Sequence, residues 1–165
     1  KLSINISPYQ LIKEHFVKKF SAILNETNIN PNCIELEITE TALMTQLKGA
    51  ESVLNDLKQL GITLSIDEFG TGYSSLTRIK ELPINTLKID KSFIDHVTKN
   101  KNASIIVKSI IALAKALELA VVAEGAENKK QIEYLLEMGC EFVQGFYFSK
   151  PLDKNEVSEL LRSLK

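Results

Sequence analysis

Six short runs along the chain read as strands, four of them by alternating polar with apolar residues. They are residues 2–7 (LSINIS), 33–39 (CIELEIT), 63–69 (TLSIDEF), 86–90 (TLKID), 120–126 (AVVAEGA) and 142–148 (FVQGFYF). A period of two predicts β-strands. Between these runs the period lengthens to that of a helix. Tyr9 opens Gln10-Leu11-Ile12, followed by Phe16, Val17 and Phe20. Residues 50–60 carry Val53, Leu54, Leu57 and Leu60, residues 104–119 carry Ile105, Ile106, Ile110, Leu113 and Leu117, and residues 129–138 carry Ile132, Leu135 and Leu136. Gly61 and Gly139 stand where two of these helices should stop, because a glycine accepts the left-handed backbone of a helix C-terminus.

Strands that alternate with helices predict right-handed βαβ units and a parallel sheet. The spacing suits a TIM-like (β/α) barrel, which has eight units in about 250 residues. Six of the eight strand-helix units are recognisable, roughly three quarters of such a barrel. No linker rich in Pro, Gly or Ser divides them, so residues 1–165 are expected to form a single α/β domain. The first strand begins with no lead-in, which predicts a domain truncated at its N-terminus.

Parallel strands covered on both faces usually read as unbroken apolar runs. Here Ser3, Asn5 and Ser7 interleave with Leu2, Ile4 and Ile6, and Glu35, Glu37 and Thr39 with Ile34, Leu36 and Ile38. Thr63, Ser65 and Asp67 alternate with Leu64 and Ile66, and Thr86, Lys88 and Asp90 with Leu87 and Ile89. Taken strand by strand, this alternation also suits an antiparallel sheet with one solvated face. The intervening helices argue for the barrel, whose polar positions face the lumen. Asn5, Glu37, Asp67, Lys88, Glu124 and Gln144 would then converge at the C-terminal ends of the strands, where barrel enzymes keep their chemistry.

Composition changes this picture little. A 44% hydrophobic and 25% charged chain is that of an ordinary globular protein. A net charge of −1 gives no sign of nonspecific attraction to nucleic acid or anionic lipid, and no DNA partner is expected. The most apolar stretch, residues 104–123, is interrupted by Lys108, Lys115 and Glu118 and does not read as a membrane span. No signal peptide opens the chain. Cys33 and Cys140 have no disulfide or zinc spacing and are expected as reduced core residues, in keeping with the cytoplasm. A membrane anchor elsewhere in the parent protein stays open.

Converging carboxylates repel and raise one another's pKa unless a cation joins them. Oxygen ligands from Asn, Asp and Glu suit Mg²⁺ or Mn²⁺, and there is no Cys/His set for zinc. Lys88 either forms a structural salt bridge or holds a water or phosphate oxygen. The adjacent pair Asp67-Glu68 could reach two metals a few ångströms apart, an arrangement suited to in-line attack on a phosphodiester. Strict alternation points Glu68 the other way, so this requires the strand to end or bulge at Asp67, which Gly70 and Gly72 make plausible. The following GTGYSS lacks the third glycine of a dinucleotide fingerprint. Ser74 or Ser75 either caps the next helix or belongs to a mobile loop over the site.

These residues resemble the EAL domain family of cyclic di-GMP phosphodiesterases. Asn5-Ile6-Ser7 with Gln10, Glu37-Ile38-Thr39-Glu40, Asp67 through Ser75, Lys88-Ile89-Asp90, Glu124-Gly125-Ala126-Glu127 and Gln144-Gly145-Phe146 occur in the family's order. The resemblance implies metal-dependent hydrolysis of cyclic di-GMP to the linear dinucleotide in bacterial signalling. It implies Asn5, Glu37 and Asp67 as metal ligands, with Asp67 bridging two Mg²⁺ or Mn²⁺ ions and Glu68 at the second metal's usual aspartate. Lys88 would position the nucleophilic water, and Glu124 would bind metal or activate that water. Glu127, Gln144 and Asp90 would bind substrate or support the site. Glu40 resembles the glutamate that steadies the GTGYSS loop and couples metal binding to a homodimer. Flanking sensory or GGDEF-type domains are implied for the full protein.

Two departures keep other functions open. Glu68 replaces the family's second aspartate, which favours a degenerate domain that binds cyclic di-GMP or a protein partner without hydrolysis. The upstream Glu-Ala-Leu signature, with a further metal-binding glutamate and a ligand-contacting arginine, is absent from this sequence. The chain alone is therefore expected to be inactive, with exposed strand edges that favour self-association.

Overall fold

A computed structural model of the chain describes residues 1–45, 51–72 and 76–163. The elements run in order β1 (Leu2–Asn5), α1 (Pro8–Leu11), α2 (Phe16–Thr27), a 3₁₀ turn (Pro31–Cys33), β2 (Ile34–Thr39), α3 (Glu40–Thr45), α4 (Glu51–Gln59), β3 (Thr63–Phe69), α5 (Leu76–Glu81), β4 (Thr86–Ile89), α6 (Lys91–Ile94), α7 (Lys101–Ala116), β5 (Ala120–Glu124), α8 (Lys129–Glu137), β6 (Phe142–Gln144) and α9 (Lys154–Ser163). The strands form one sheet in the order β1-β2-β3-β4-β5-β6, every neighbouring pair parallel. This settles the choice left by the alternation. The polar positions belong to an alternating strand–helix sheet of the TIM type, and no hairpin pairs its strands.

The core lies where the sequence places the apolar halves of the strands. Leu36, Ile38, Leu64, Ile66, Leu87 and Ile89 are fully buried, and Leu54 and Leu57 of α4 pack in the same cluster. A Leu or Ile buried in this way stabilises by about 1.5–3 kcal/mol over exposure. Gly61 and Gly139 have φ of +89° and +79° and end α4 and α8 as expected. Each helix closes with two backbone bonds: Gly61 N–H to Lys58 O with Ile62 N–H to Leu57 O, and Gly139 N–H to Leu136 O with Cys140 N–H to Leu135 O.

Several expectations are corrected. The first helical segment is broken in two, because His15 adopts a left-handed φ of +63° between α1 and α2. Ser7 leaves the strand and caps α1: its hydroxyl accepts from Tyr9 N–H while Gln10 Oε1 accepts from Ser7 N–H. Residues 125–126 and 145–148 lie outside β5 and β6, because Gly125 turns left-handed after Glu124 and the chain folds back after Gln144. The inward stripe of α7 is Ala103, Val107, Ile110, Ile111 and Ala114, while Ile105 and Ile106 are exposed. A helix apolar on most of its surface gives no clear phase from sequence alone. Cys140 is buried and free; Cys33 is also free but exposed, since it closes the 3₁₀ turn before β2 begins. No helix among the described residues is long and apolar enough to cross a membrane.

Two local devices prepare the site. Between the pairs Ile66↔Leu87 and Phe69↔Ile89 the register of β3 on β4 slips, so Asp67 and Glu68 together oppose the single residue Lys88. This is a β-bulge at the position the Asp-Glu pair requires, and Glu68 carries a φ of +55°. The second device is Gln131 of α8, which is buried. Its Oε1 accepts from the N–H groups of Glu127 and Asn128, and its Nε2 donates to Ile94 O. One side chain thereby ties the loop after β5 to the end of α6.

Candidate active site

Lys88 is the centre of the site. Its side chain rises from β4 and is 4% exposed. Nζ stands 2.5 Å from Glu124 Oε1 on β5, 2.6 Å from Glu37 Oε1 on β2 and 3.8 Å from Asp67 Oδ1 on β3. Parallel register brings these groups together: Asn5 pairs with Glu37, Thr39 with Asp67, and Glu124 with Gln144. All come from the C-terminal halves of their strands, as the barrel reading expects.

Three carboxylates against one ammonium leave a net charge of −2 in a half-dry space. Burial pulls the Lys88 pKa down, but the close carboxylates of Glu124 and Glu37, reinforced by Asp67, outweigh it and hold the group above the ordinary lysine value. Burial pushes Glu124 up; Lys88 pulls it back without cancelling that push, and the negative charges of Asp67 and Glu37 raise it further. The two shifts agree physically, because one cation is divided among three anions. Glu37 Oε1 is buried, and its approach to Lys88 is a close ion pair with no aligned hydrogen-bond donor. Among the described residues, no three acidic, His or Cys side chains form a ready metal cage; the carboxylates close on Lys88.

The opening of the GTGYSS segment is held from below. Glu40, buried at the start of α3, accepts from Gly70 N–H at 2.7 Å and from Gly72 N–H at 3.3 Å through Oε2. A Cβ on Gly72 would come within 3.1 Å of that carboxylate, so any larger residue there would push Glu40 aside by a few tenths of an ångström. Tyr73, Ser74 and Ser75 lie outside the described residues. Replacing Glu40 by Ala removes two hydrogen bonds to a charged acceptor and is expected to destabilise the chain by about 1–3 kcal/mol, read as a lower midpoint of denaturant unfolding.

The other expected residues are distributed unevenly. Glu68 is exposed; its N–H donates to Asp67 Oδ1 and its carbonyl accepts from Thr71, while Lys88 makes its ion pairs with Glu37, Asp67 and Glu124. The backbone bulge is present, but the Glu68 carboxylate is not one of the Lys88 partners. Asp90 caps α6, accepting from Ser92 N–H and Oγ–H. Asn5 and Gln144 are exposed neighbours of Glu37 and Glu124 through the sheet register. Glu127 pairs with Lys91 at 2.6 Å. Lys91 and Gln131 were not singled out from the sequence. Lys91 reads as a surface lysine beside Asp90, and a glutamine among helical polar positions gives no sign of burial.

A cavity of about 220 Å³ opens beside Glu124 and Gln144, lined also by Lys91, Gly125, Glu127 and Phe146. A larger cleft of about 510 Å³ runs along residues 11–18 with Val53 and Asp56, away from the carboxylates. The smaller cavity is the candidate site, because it adjoins the perturbed Lys88–Glu124 pair.

Residues 1–151 match the family described as the EAL domain. The chain belongs to that family. Among its relatives, the cyclic di-GMP phosphodiesterase NbdA of Pseudomonas aeruginosa is 39% identical over 165 residues, which cover 100% of this chain and 21% of NbdA. The EAL domain of Mycobacterium smegmatis DcpA superposes with a TM-score of 0.92 at 40% identity, covering 98% of this chain and 73% of that one. Klebsiella pneumoniae BlrP1, solved in manganese and calcium complexes with cyclic di-GMP, gives TM-scores of 0.84 and 0.85 at 30% identity, covering 92% of this chain and 39% of BlrP1. The chain spans about a fifth of the length of the curated relatives it matches first.

Proposed function

We propose that this EAL chain supplies the catalytic carboxylates and lysine of a divalent-metal-dependent phosphodiesterase that opens cyclic di-GMP to the linear dinucleotide. The observation that carries this reading is the buried Lys88 ammonium, set 2.5 Å from Glu124 and 2.6 Å from Glu37 at the C-terminal ends of the strands. Structural stability alone rarely favours three carboxylates around one buried cation. NbdA's activity and the BlrP1 complexes support the choice of substrate.

The donor set has the chemistry of a hard divalent site, and its carboxylates would turn from Lys88 to hold a cation. Asn5, Glu37, Asp67 and Glu124 offer only oxygen, the cluster carries a surplus of two negative charges, and buried Glu37 Oε1 lacks an aligned donor. These residues would hold Mg²⁺ or Mn²⁺, and Glu68 would serve a second ion. Bound there, a divalent ion supplies charge neutralisation at the phosphodiester and activates water. Lys88 orients the attacking water by donating to its oxygen, and Glu124 accepts its proton. Gln144, Glu127 and Asp90 support the substrate and its loops.

The same reading places the reaction in the cytoplasm, in a homodimer whose parent protein carries sensory or GGDEF-type domains. It treats this chain as the larger part of one barrel, supported by its 73% coverage of the DcpA chain and the exposed edge strands β1 and β6.

One observation favours a receptor without turnover: the exposed, left-handed Glu68, whose carboxylate is not one of the Lys88 partners. Glu68→Asp, made in a protein that carries this chain within a complete barrel, separates the two readings. A gain of at least about 10-fold in Mn²⁺-dependent cyclic di-GMP hydrolysis is expected if the longer side chain limits the second ligand site, since chemistry at misplaced groups commonly loses that much or more. Cyclic di-GMP binding with no hydrolysis in either protein would support the receptor.

A further inference from the structure

We infer that Gln131 is a positioning residue for the reaction, holding the strand ends that carry Lys88 and Glu124 at the spacing their contact needs; this rests on the phosphodiesterase reading above. Lys88 pairs with Val122 across the β4–β5 ladder, and the last pair of that ladder is Ile89 with Ala123. Glu124 stands one residue beyond it. Its carboxylate nevertheless meets Lys88 Nζ at 2.5 Å, while the same ammonium meets Glu37 at 2.6 Å. The spacing of β4 and β5 at this level therefore depends on contacts past the end of the ladder.

The loop after β5 is held differently on its two sides. Toward β6 the ties are backbone bonds, from Ala126 N–H to Gln144 O and from Tyr147 N–H to Ala126 O. Toward β4, two side-chain hydrogen bonds among the described residues cross to α6, the single turn that follows β4. One joins Lys91 Nζ to Glu127 Oε1; both side chains are half exposed, and such pairs are worth little. The other comes from Gln131, which is 4% exposed. Its Oε1 accepts from Glu127 N–H at 2.8 Å, Asn128 N–H at 3.1 Å and Asn128 Nδ2 at 2.9 Å, and its Nε2 donates to Ile94 O at 3.0 Å. Ile94 is fully buried, so the far end of this link is anchored in the core.

Helix capping alone does not explain this residue. Gln131 is the third residue of α8 and forms a capping box with Asn128, whose Oδ1 accepts from Gln131 N–H at 3.1 Å. A capping box needs only an acceptor at that position, where Glu serves as well as Gln. The Nε2 donor lies outside its needs, and so does the bond from Glu127 N–H. A buried amide is costly unless its polar atoms are satisfied. Here they are satisfied by two different elements. The donor reaches the chain that follows Lys88, and the acceptor reaches the loop that follows Glu124.

The test compares wild type with Gln131→Glu, Gln131→Met and Asn100→Ala, each in a protein that carries this chain within a complete barrel. The readouts are kcat and KM for cyclic di-GMP in Mn²⁺ and the unfolding midpoint. Gln131→Glu keeps the cap, and the surrounding N–H donors hold its carboxyl ionised, so it has no proton to offer Ile94 O. It is expected to lower kcat about 10-fold with KM within about 2-fold, since a misplaced reacting group loses rate rather than binding. Gln131→Met loses both ends of the link and is expected to fall further. Asn100→Ala removes a cap at α7, where Oδ1 accepts from Asn102 and Ala103 N–H, and is expected to lower the midpoint with kcat unchanged. Wild-type kcat in Gln131→Glu, or a loss that Asn100→Ala matches, makes Gln131 a cap only; this overturns the inference and leaves the proposed function standing. If neither Gln131 variant folds, hydrogen exchange of the Gln131 side-chain amide in wild type decides. Protection like that of the β5 backbone is expected, and exchange as fast as in a free glutamine overturns the link. Wild type without turnover removes the functional reading and the positioning role with it.

Discussion

Lys88→Met is expected to lower the stability of the chain by about 3–5 kcal/mol, the range for removing one partner from a buried ion-paired cluster. The methionine fills similar space, so the loss is electrostatic: Glu37, Asp67 and Glu124 lose the ammonium between them and must repel one another or take up protons. Lys88 is 4% exposed, so solvent cannot take over its role. Denaturant unfolding reads the change directly, and Mn²⁺ is expected to restore part of it by supplying charge at the same oxygens. In the proposed reaction the same substitution removes the donor that orients water, a loss of about 10²–10⁴-fold in turnover. A midpoint unchanged by the substitution would mean that the cluster is solvated and carries no strain.

The second large effect is expected at Gly145, just after β6. An added Cβ would fall 2.1 Å from Ala126 O and 2.4 Å from Ala126 N, both backbone atoms with no rotamer to yield. The backbone is stitched at this point: Ala126 N–H donates to Gln144 O, and Tyr147 N–H donates to Ala126 O. Gly145→Ala must therefore separate β6 from the loop after β5, at the upper end of the roughly 1–3 kcal/mol typical of overpacking. Because this loop carries Glu127, nucleotide affinity should fall together with the unfolding midpoint. A variant with wild-type stability and affinity would mean that the two segments move apart freely.

The strands and their parallel order were legible because period-two alternation and intervening helices are strong, redundant signals. So was the bulge: two carboxylates before Gly70 and Gly72 can reach one side of a sheet only if the register slips, and it slips at Asp67-Glu68. The convergence of Glu37, Asp67 and Glu124 on Lys88 follows from strand order once the sheet is parallel. What escaped the sequence were features decided by tertiary contact. Gln131 is buried because a loop backbone needs its amide, and no periodicity marks that. Lys91 matters only because Gly125 and Glu127 arrive from another strand's loop. Asp90 is a supporting residue by the family resemblance, yet just past the end of β4 its carboxylate caps α6.

The most direct test of the central claim is cyclic di-GMP hydrolysis in Mn²⁺ by a protein carrying this chain in a complete barrel, with Lys88→Met and an EDTA-treated sample beside it. The expected result is linear dinucleotide from wild type alone. Turnover undiminished by Lys88→Met or by EDTA would contradict a metal-dependent site built on Lys88, and nucleotide binding without any turnover would make the domain a receptor.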